Sequence, residues 1–179
     1  MKFRFFILTY KAAKRLEKCA EALVKSDAKD CEIFILNNHS DFKLPSCFKD
    51  KPNVKVLHNN LRPDWSTGHM SRSWNQSIIF GFESLTKPSC DAVVTIQDDV
   101  VVVPDILFRL KHLHQERKFS FIQNGHGDAL CSYLPEAITS VGMWDERFLF
   151  GLGAADYFYR QLMFNSKGCS INDPQHHRY

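Results

Sequence analysis

Gln97-Asp98-Asp99 follows directly on the apolar segment Ala92–Ile96 and is the cluster best suited to chemistry in this chain. Carboxylates after an apolar strand are costly to bury unless they are paired or bind a cation. In an extended chain Gln97 and Asp99 point to one face, which can hold a ribose hydroxyl through Gln97 and a metal through Asp99. Oxygen ligands suit Mg²⁺ or Mn²⁺, with a diphosphate completing the shell. The alternative is a solvated turn between two strands.

Two further polar clusters stand at the ends of predicted strands. Thr9 and Tyr10 end the first apolar run, and Asn37–Asp41 follows the second. Ligands of open α/β sheets bind beyond the carboxyl ends of the strands, so we expect the three clusters to meet in one crevice. Neither GxGxxG nor GxxxxGK[ST] follows the first strand, so a phosphate bound there needs another counter-charge, for which a metal is the natural source.

Strand and helix patterns alternate along the first 125 residues. The predicted strands are Phe3–Thr9, Cys31–Leu36, Val54–Leu57, Ala92–Ile96 and Phe119–Gln123. The predicted helices are Ala12–Val24, Met70–Leu85 and Asp105–His114. The remainder is less regular, with a short strand pattern at Cys131–Leu134 and an amphipathic helix at Ala154–Asn165. This order predicts a mainly parallel, three-layer α/β sheet in one domain.

The composition is that of an ordinary folded domain, with 179 residues, 44% of them hydrophobic and 24% charged. A formal net charge of +3 gives no case for a nucleic acid or a membrane surface as partner. The six cysteines form no CxxC pair, which favours free thiols in a reducing compartment over a zinc site. No apolar stretch is long enough to span a bilayer, and no signal peptide is recognisable. We therefore expect a cytoplasmic protein without a membrane span.

Five short motifs occur in order between residues 8 and 156. They are Leu8-Thr9-Tyr10-Lys11, Asn37-Asn38-His39-Ser40-Asp41, Gly68-His69-Met70-Ser71-Arg72-Ser73-Trp74-Asn75, Gln97-Asp98-Asp99, and Gly142-Met143-Trp144-Asp145-Glu146-Arg147-Phe148 with Ala155-Asp156 after it. In this order they resemble the TYN, DNxSxD, Gly-rich xxxN, DxD and GxFDExF…ED segments of family 2-type glycosyltransferases of the GT-A fold. Each motif alone is weak, but their order makes the resemblance specific.

The resemblance implies a role for each matching residue. The nucleotide end of the donor would be bound by Thr9, Tyr10, Asn37, Gly68, Arg72, Asn75, Gln97 and Asp98. Asp99 matches the metal-binding carboxylate, and Trp144 and Asp145 match the segment that lies along the acceptor.

Asp156 matches the general base of inverting members of the family. An acceptor hydroxyl must lose its proton as it attacks the anomeric carbon, and a positioned carboxylate can accept that proton. The alternative is that Asp156 caps the helix predicted to begin there.

Two further residues are candidates on weaker grounds, and a third is expected to be structural. Asp128, in the loop after the fifth predicted strand, is a candidate for contact with the sugar, or is only part of a turn. His176 is a candidate metal ligand, because the resemblance implies a late histidine, although adjacent histidines at a chain end are commonly exposed and His177 would serve as well. Trp74 lies on the apolar stripe of its helix and is expected in the core.

The chain departs from the family pattern at several positions. Asn37 stands in place of the aspartate that contacts uracil, which makes a uridine donor less secure. Gln97 replaces the first DxD carboxylate, which should weaken metal binding or make it depend on the bound diphosphate. Ala155 replaces the glutamate beside the base. The sequence ends at Tyr179, early for this family, so we expect an acceptor-binding portion to be absent or contributed elsewhere.

The expected fold is α/β, a GT-A (nucleotide-diphospho-sugar transferase) fold with a mainly parallel sheet flanked by helices. Residues 1–179 would form one domain, with a nucleotide-binding half at 1–125 and an acceptor-side half at 126–179. The expected activity is inverting transfer of a sugar from a nucleoside-diphosphate donor to a hydroxyl of a glycan or glycoprotein, with Mn²⁺ or Mg²⁺ as cofactor. The alternatives are a sugar-nucleotide nucleotidyltransferase, although the Gly-rich basic loop of that class is missing, and a catalytically degenerate nucleotide- or glycan-binding module.

Overall fold

A computed structural model describes residues 1–39, 41–59, 69–123, 127–148 and 152–171. Within these ranges seven strands form one sheet, in the order β3-β2-β1-β4-β6-β5-β7. The strands are β1 (Phe3–Thr9), β2 (Glu32–Asn37), β3 (Val54–His58), β4 (Ala92–Gln97), β5 (Phe121–Gln123), β6 (Leu130–Tyr133) and β7 (Cys169–Ile171). Strand β6 runs antiparallel to both β4 and β5, and the other pairs are parallel. The predicted mainly parallel sheet is confirmed.

Helices cover both faces of the sheet. They are α1 (Ala13–Val24), α2 (His69–Phe82), α3 (Ile106–Gln115), α4 (Pro135–Val141) and α5 (Leu152–Phe164), with a short 3₁₀ turn at Ser46–Phe48. Each predicted helix is present, with ends displaced by at most three residues. Helix α2 ends before the predicted Leu85 because Glu83 adopts a left-handed backbone conformation (φ 63°), which does not continue a helix.

The alternation of side chains along the strands divides the core in two. Phe5 and Ile7 of β1 point to the face covered by α1 and α3, where Leu16 and Leu110 pack on them. Phe6 and Leu8 point to the other face, which is covered by α2, α4 and α5. Their partners there are Trp74, Ile138 and Tyr157. The two cores and the sheet between them form the predicted three layers.

Strand β7 was not predicted, because three residues are too few to show a period. It lies at the end of the sheet beside β5. Directly before it, the carbonyl of Gly168 accepts hydrogen bonds from the N–H groups of Ser120 and Phe121 at 2.7 and 2.9 Å. The valines after Asp99 form no strand, and Val102 packs into the core on the α1 and α3 face.

The topology brings the polar strand ends together. Strands β1 to β4 run parallel, and the register places Thr9 beside Asn37, Asn37 beside His58, and Leu8 beside Gln97. Because β6 runs the opposite way, the residues before it reach the same edge, and the N–H of Gln97 donates to the carbonyl of Ala129 at 2.9 Å. This edge, called the carboxyl edge below, is where the crevice was predicted.

Helix α2 packs closely on β4 at Gly81, where there is no room for a side chain. A Cβ atom there would lie 2.3 Å from Cγ2 of Val93 and 3.1 Å from Cε2 of Phe6. We expect Gly81→Ala to lower the free energy of unfolding by about 1–3 kcal/mol, because overpacking outweighs the better helix propensity of alanine. Urea denaturation measures the change. Ile79→Ala on the exposed side of α2 is the control and should change stability by less than about 0.5–1 kcal/mol; equal effects would contradict the close contact.

Candidate active site at the carboxyl edge of the sheet

The chain turns at the end of β4 and sends three neighbouring side chains into three environments. The N–H of Val100 donates to the carbonyl of Gln97 at 3.2 Å, which closes the turn. Gln97 is half-buried on the α2 face, Asp98 is buried on the α1 face, and Asp99 is exposed. Gln97 and Asp98 therefore point to opposite faces as predicted, while the turn rather than an extended chain sets the direction of Asp99.

Asp98 is held by partners from β1 and α1. Its carboxylate accepts the Thr9 hydroxyl at 2.8 Å and pairs with Nε of Arg15 at 3.3 Å. Only 6% of the residue is exposed, and this burial raises the pKa of the Asp98 carboxyl above its ordinary value. The arrangement ties β1, α1 and β4 together at the carboxyl edge. The predicted contacts of Thr9 and Asp98 with a nucleotide stay predictions.

Gln97 is held by Asp128, from the loop before β6. Nε2 of Gln97 donates to Oδ1 of Asp128 at 3.0 Å, and Nε1 of Trp74 donates to Oδ2 at 2.8 Å. Burial raises the pKa of the Asp128 carboxyl. Trp74 is fully buried, as predicted. The predicted contact of Asp128 with the sugar is untested; both of its oxygens already accept a hydrogen bond.

Asp99 is the carboxylate of this turn that stays open to solvent. The described residues contain no group of three or more His, Cys, Asp or Glu side chains placed to hold a metal ion. A single carboxylate fits Mg²⁺ or Mn²⁺ only when phosphate oxygens and water supply the remaining ligands, which is a common mode for nucleotide-bound Mg²⁺. Asp99 therefore suits a cation that arrives with a diphosphate. His176, the other predicted ligand, lies outside the described residues.

Aromatic and amide side chains stand at the ends of β1, β2 and β3. The Asn37 amide donates to the carbonyl of His39 and to Nδ1 of His58 (3.1 Å), while its oxygen accepts the N–H of His39 at 3.2 Å. The Tyr10 ring meets the His39 ring edge to face, with 5.5 Å between centroids. These contacts make a shaped wall where the nucleotide base is predicted, but the roles of Tyr10 and Asn37 in binding it are untested.

The first turns of α2 hold the segment 144–146. Nδ2 of Asn75 donates to the carbonyl of Trp144 at 2.9 Å, and the Trp144 N–H donates back to Oδ1 of Asn75 at 2.8 Å. Glu146 accepts from Asn75 at 3.0 Å and from Nε of Arg72 at 3.2 Å. The described contacts of Asn75 and Arg72 are thus with the predicted acceptor segment, and their predicted contact with the donor stays open. Gly68, predicted at the same end of α2, lies outside the described residues.

Asp156 lies in the second turn of α5, not at its start. The helix begins at Leu152, so the alternative that Asp156 is a helix cap is wrong. Nε and Nη2 of Arg160 donate to Oδ2 of Asp156 at 2.9 and 2.6 Å. Nη1 of Arg160 donates to the carbonyls of Val141 and Met143 at 2.9 and 3.0 Å. Arg160 therefore fixes Asp156 against the segment after α4, and Oδ1 accepts no hydrogen bond from a described residue.

The two predicted acceptor residues differ in exposure. Trp144 is 3% exposed and stacks in parallel on Tyr157, with 4.4 Å between ring centroids. Asp145 forms a fork with Arg147, at 2.6 Å from Nη2 to Oδ2, and this pairing lowers the pKa of Asp145 to about 2. Trp144 therefore packs in the core and anchors the segment, and Asp145 is the more accessible of the two.

Helix α2 connects the turn after β4 with α5. Trp74 reaches Gln97 through Asp128. At the start of α5 a Cβ atom on Gly153 would lie 2.6 Å from Oγ of Ser71. The turn that carries Asp99 and the helix that carries Asp156 are therefore both held by the first turns of α2.

Sequence reasoning missed two charged residues at this edge. Arg160 stands four residues after Asp156, the spacing of a helical ion pair, so its contact could have been found from the sequence. The contact of Arg15 could not be found in this way, because Arg15 lies on α1 and its partner Asp98 follows β4, far along the chain.

No family model matches the chain, and a search of curated proteins finds no match. Solved structures do match. TarS 1-349 of S. aureus is 13% identical with a TM-score of 0.66, over 96% of this chain and 58% of that one. The mannosyltransferase PcManGT of Pyrobaculum calidifontis, solved with GDP-Man and Mn²⁺, is 12% identical with a TM-score of 0.67, over 95% and 53%.

The glycosyltransferase GlyE of Streptococcus pneumoniae TIGR4 is 10% identical with a TM-score of 0.57, over 98% of this chain and 46% of that one. The chain has the GT-A glycosyltransferase fold. It spans about half the length of the three structures that it resembles. Among the described residues, none of the helices of this GT-A domain is long and apolar enough to cross a membrane.

Asn75 and Arg72 provide a test of what α2 holds. We expect Asn75→Ala to lower the free energy of unfolding by about 1–3 kcal/mol, because it leaves the buried N–H and carbonyl of Trp144 unpaired. Arg72→Ala removes an exposed ion pair to Glu146 and should change the free energy of unfolding by less than about 1 kcal/mol. Chemical denaturation measures both variants, and equal losses would contradict this account. Nucleotide affinity of the Arg72 variant separately tests the predicted donor contact.

Proposed function

We propose that this GT-A domain transfers a sugar from a nucleoside-diphosphate donor to a hydroxyl of a glycan or glycoprotein. The observation that carries the proposal is the turn after β4, where Asp99 is exposed at the carboxyl edge while Gln97 and Asp98 are held from both sides. In an open α/β sheet this edge is the place for a ligand.

Structural neighbours support the class of donor. TarS has been solved with UDP and with UDP-GlcNAc, and PcManGT with GDP-Man. The wall formed by Tyr10, His39 and His58 at the ends of β1 to β3 suits the flat, polar base of such a donor. Residues 1–125 would then form the nucleotide-binding half and residues 126–179 the acceptor side.

A divalent cation is proposed to bind at Asp99 together with the donor diphosphate. The Mn²⁺ in PcManGT supports this assignment, as does the exposed carboxylate, which fits an ion completed by phosphate oxygens and water. When bound, the ion supplies positive charge that stabilises the departing diphosphate.

Asp156 is proposed as the group that takes the proton. The acceptor oxygen forms a bond to the anomeric carbon, the bond from that carbon to the diphosphate oxygen breaks, and the hydroxyl proton passes to Asp156. Arg160 binds Oδ2 of this carboxylate, so Oδ1 is left to receive the proton. A single displacement of this kind inverts the anomeric configuration, and Asp145 and the neighbouring Trp144 would border the acceptor.

The predicted cytoplasmic location is also kept as a proposal. All six cysteines are free in the structure, which supports a reducing compartment.

Thermal shift with nucleotide sugars tests donor and cation together. We expect one of UDP-, GDP- or dTDP-sugars with Mn²⁺ to raise the Tm by roughly 5–10 °C at saturating concentration. EDTA should remove most of that shift, and so should Asp99→Asn in the presence of Mn²⁺. Asp30→Asn, an exposed carboxylate before β2 at the opposite edge, should behave like the native chain. If no nucleotide sugar shifts the Tm under any condition, the proposed function is wrong.

Replacement of the proposed base separates chemistry from binding. We expect Asp156→Asn to lower kcat by about 10²–10⁴-fold, because the amide cannot accept the proton, with the affinity for the donor nearly unchanged. The assay follows release of nucleoside diphosphate, and Asp30→Asn again serves as control. Full activity in Asp156→Asn would remove this residue from the mechanism. Release of pyrophosphate would instead support a nucleotidyltransferase, and donor binding without turnover a binding module.

A further inference from the structure

The side-chain amide of Gln97 has two ends of opposite hydrogen-bonding character, and Asp128 decides which end faces inward. Nε2 of Gln97 lies 3.0 Å from Oδ1 of Asp128. The other oxygen of Asp128 accepts from Nε1 of Trp74 at 2.8 Å, and an indole nitrogen can only donate. The Asp128 carboxylate itself can only accept hydrogen bonds, so it needs a donor from Gln97 as well as from Trp74. The amide orientation of Gln97 therefore follows from chemistry as well as from the coordinates, since its oxygen would repel Oδ1.

Oε1 of Gln97 is left on the side away from Asp128. It accepts no hydrogen bond from any residue in the described ranges, and it is not among their fully buried unpaired atoms. Gln97 is the last residue of β4, directly before the turn that exposes Asp99. The free amide oxygen is therefore at the carboxyl edge, where the proposed donor would bind.

We infer that Asp128 is a positioning residue that keeps the amide oxygen of Gln97 directed at the donor complex, as an acceptor for a positively polarised group. Two groups have this chemistry: a ribose hydroxyl that donates its hydrogen, and the cation beside Asp99. The inference rests on the proposed function, because it assumes that a nucleotide binds at this edge. It gives Asp128 a role through Gln97 rather than by direct contact with the sugar.

Exchange of carboxylate and amide between the two positions provides the test. In Asp128→Asn the new side chain can keep the Trp74 bond through its oxygen only if its NH₂ group faces Gln97. The Gln97 amide must then turn over, so that its oxygen points inward and its NH₂ group points at the donor. The internal hydrogen bonds persist, so the fold should be retained, but the outward atom changes from acceptor to donor.

The single and double variants have opposite expected results. Asp128→Asn should keep a Tm close to that of the native chain and lose about tenfold in affinity for the nucleotide with Mn²⁺, the loss expected for one hydrogen bond or ligand contact. Gln97→Glu sets two carboxylates against each other and should lower both Tm and affinity, although it adds an acid at the site. The double variant Gln97→Glu with Asp128→Asn restores a donor facing an acceptor, with an oxygen outward. The Tm and the nucleotide affinity of the double variant should return to native values or exceed them.

Isothermal titration with the nucleoside diphosphate identified in the thermal-shift panel measures these affinities, with Mn²⁺ and with EDTA. A loss in Asp128→Asn that persists in EDTA assigns the amide oxygen to a ribose hydroxyl, and a loss seen only with Mn²⁺ assigns it to the cation. The inference is overturned if Asp128→Asn binds as tightly as the native chain, or if the double variant is no better than Gln97→Glu. If the native chain binds no nucleotide, the proposed function fails and this inference with it.

Discussion

A buried aspartate, Asp98, and a half-buried one, Asp128, lie at the carboxyl edge of the sheet, and the need to stabilise their charge constrains the structure around them. A buried carboxylate is tolerated when N–H or O–H groups surround it. Asp98 finds such groups on Thr9 and Arg15, and Asp128 finds them on Gln97 and Trp74. Each aspartate therefore fixes the elements on its own side of β4, and the turn between them presents Asp99 to solvent.

Helix α2 links the proposed donor side to the proposed acceptor side. Gly81 lets the helix lie close on β4, so Trp74 can reach Asp128 from the same face. One residue later, Asn75 makes two hydrogen bonds to the backbone of Trp144. Successive residues of one helix therefore position the turn after β4 and the segment around Trp144, and a shift of α2 would move both.

The proposed acceptor side is arranged around arginines rather than around free acids. Asp156 and Asp145 each pair with an arginine, but the two pairs differ in surroundings. Arg160 is also bound to two backbone carbonyls, which makes it a rigid support, whereas Arg147 is largely exposed. A carboxylate held at one oxygen by a rigid cation keeps the other oxygen in a fixed direction, which is the geometry that a proton acceptor needs.

The sequence by itself determined the strands, the helices and the polar clusters at the strand ends, because periodicity and turn residues are local properties that the chain shows wherever it folds. It therefore predicted the parallel sheet and the meeting of Thr9, Asn37 and Gln97 at one edge. Strand β7 was not predicted, since the strand is too short for a pattern, and α5 begins two residues before its predicted start at Ala154.

Only the tertiary structure decided the partners of the site residues. Arg15 pairs with Asp98, and Asp128 with Gln97, across long stretches of sequence, and such contacts follow from strand order and helix packing rather than from neighbouring residues. For the same reason the sequence could name Gln97, Asp98 and Asp99 as one cluster but could not distinguish their roles. Asp98 is buried, Gln97 is held by a hydrogen bond to Asp128, and Asp99 faces solvent, because the rest of the fold packs differently against each of them.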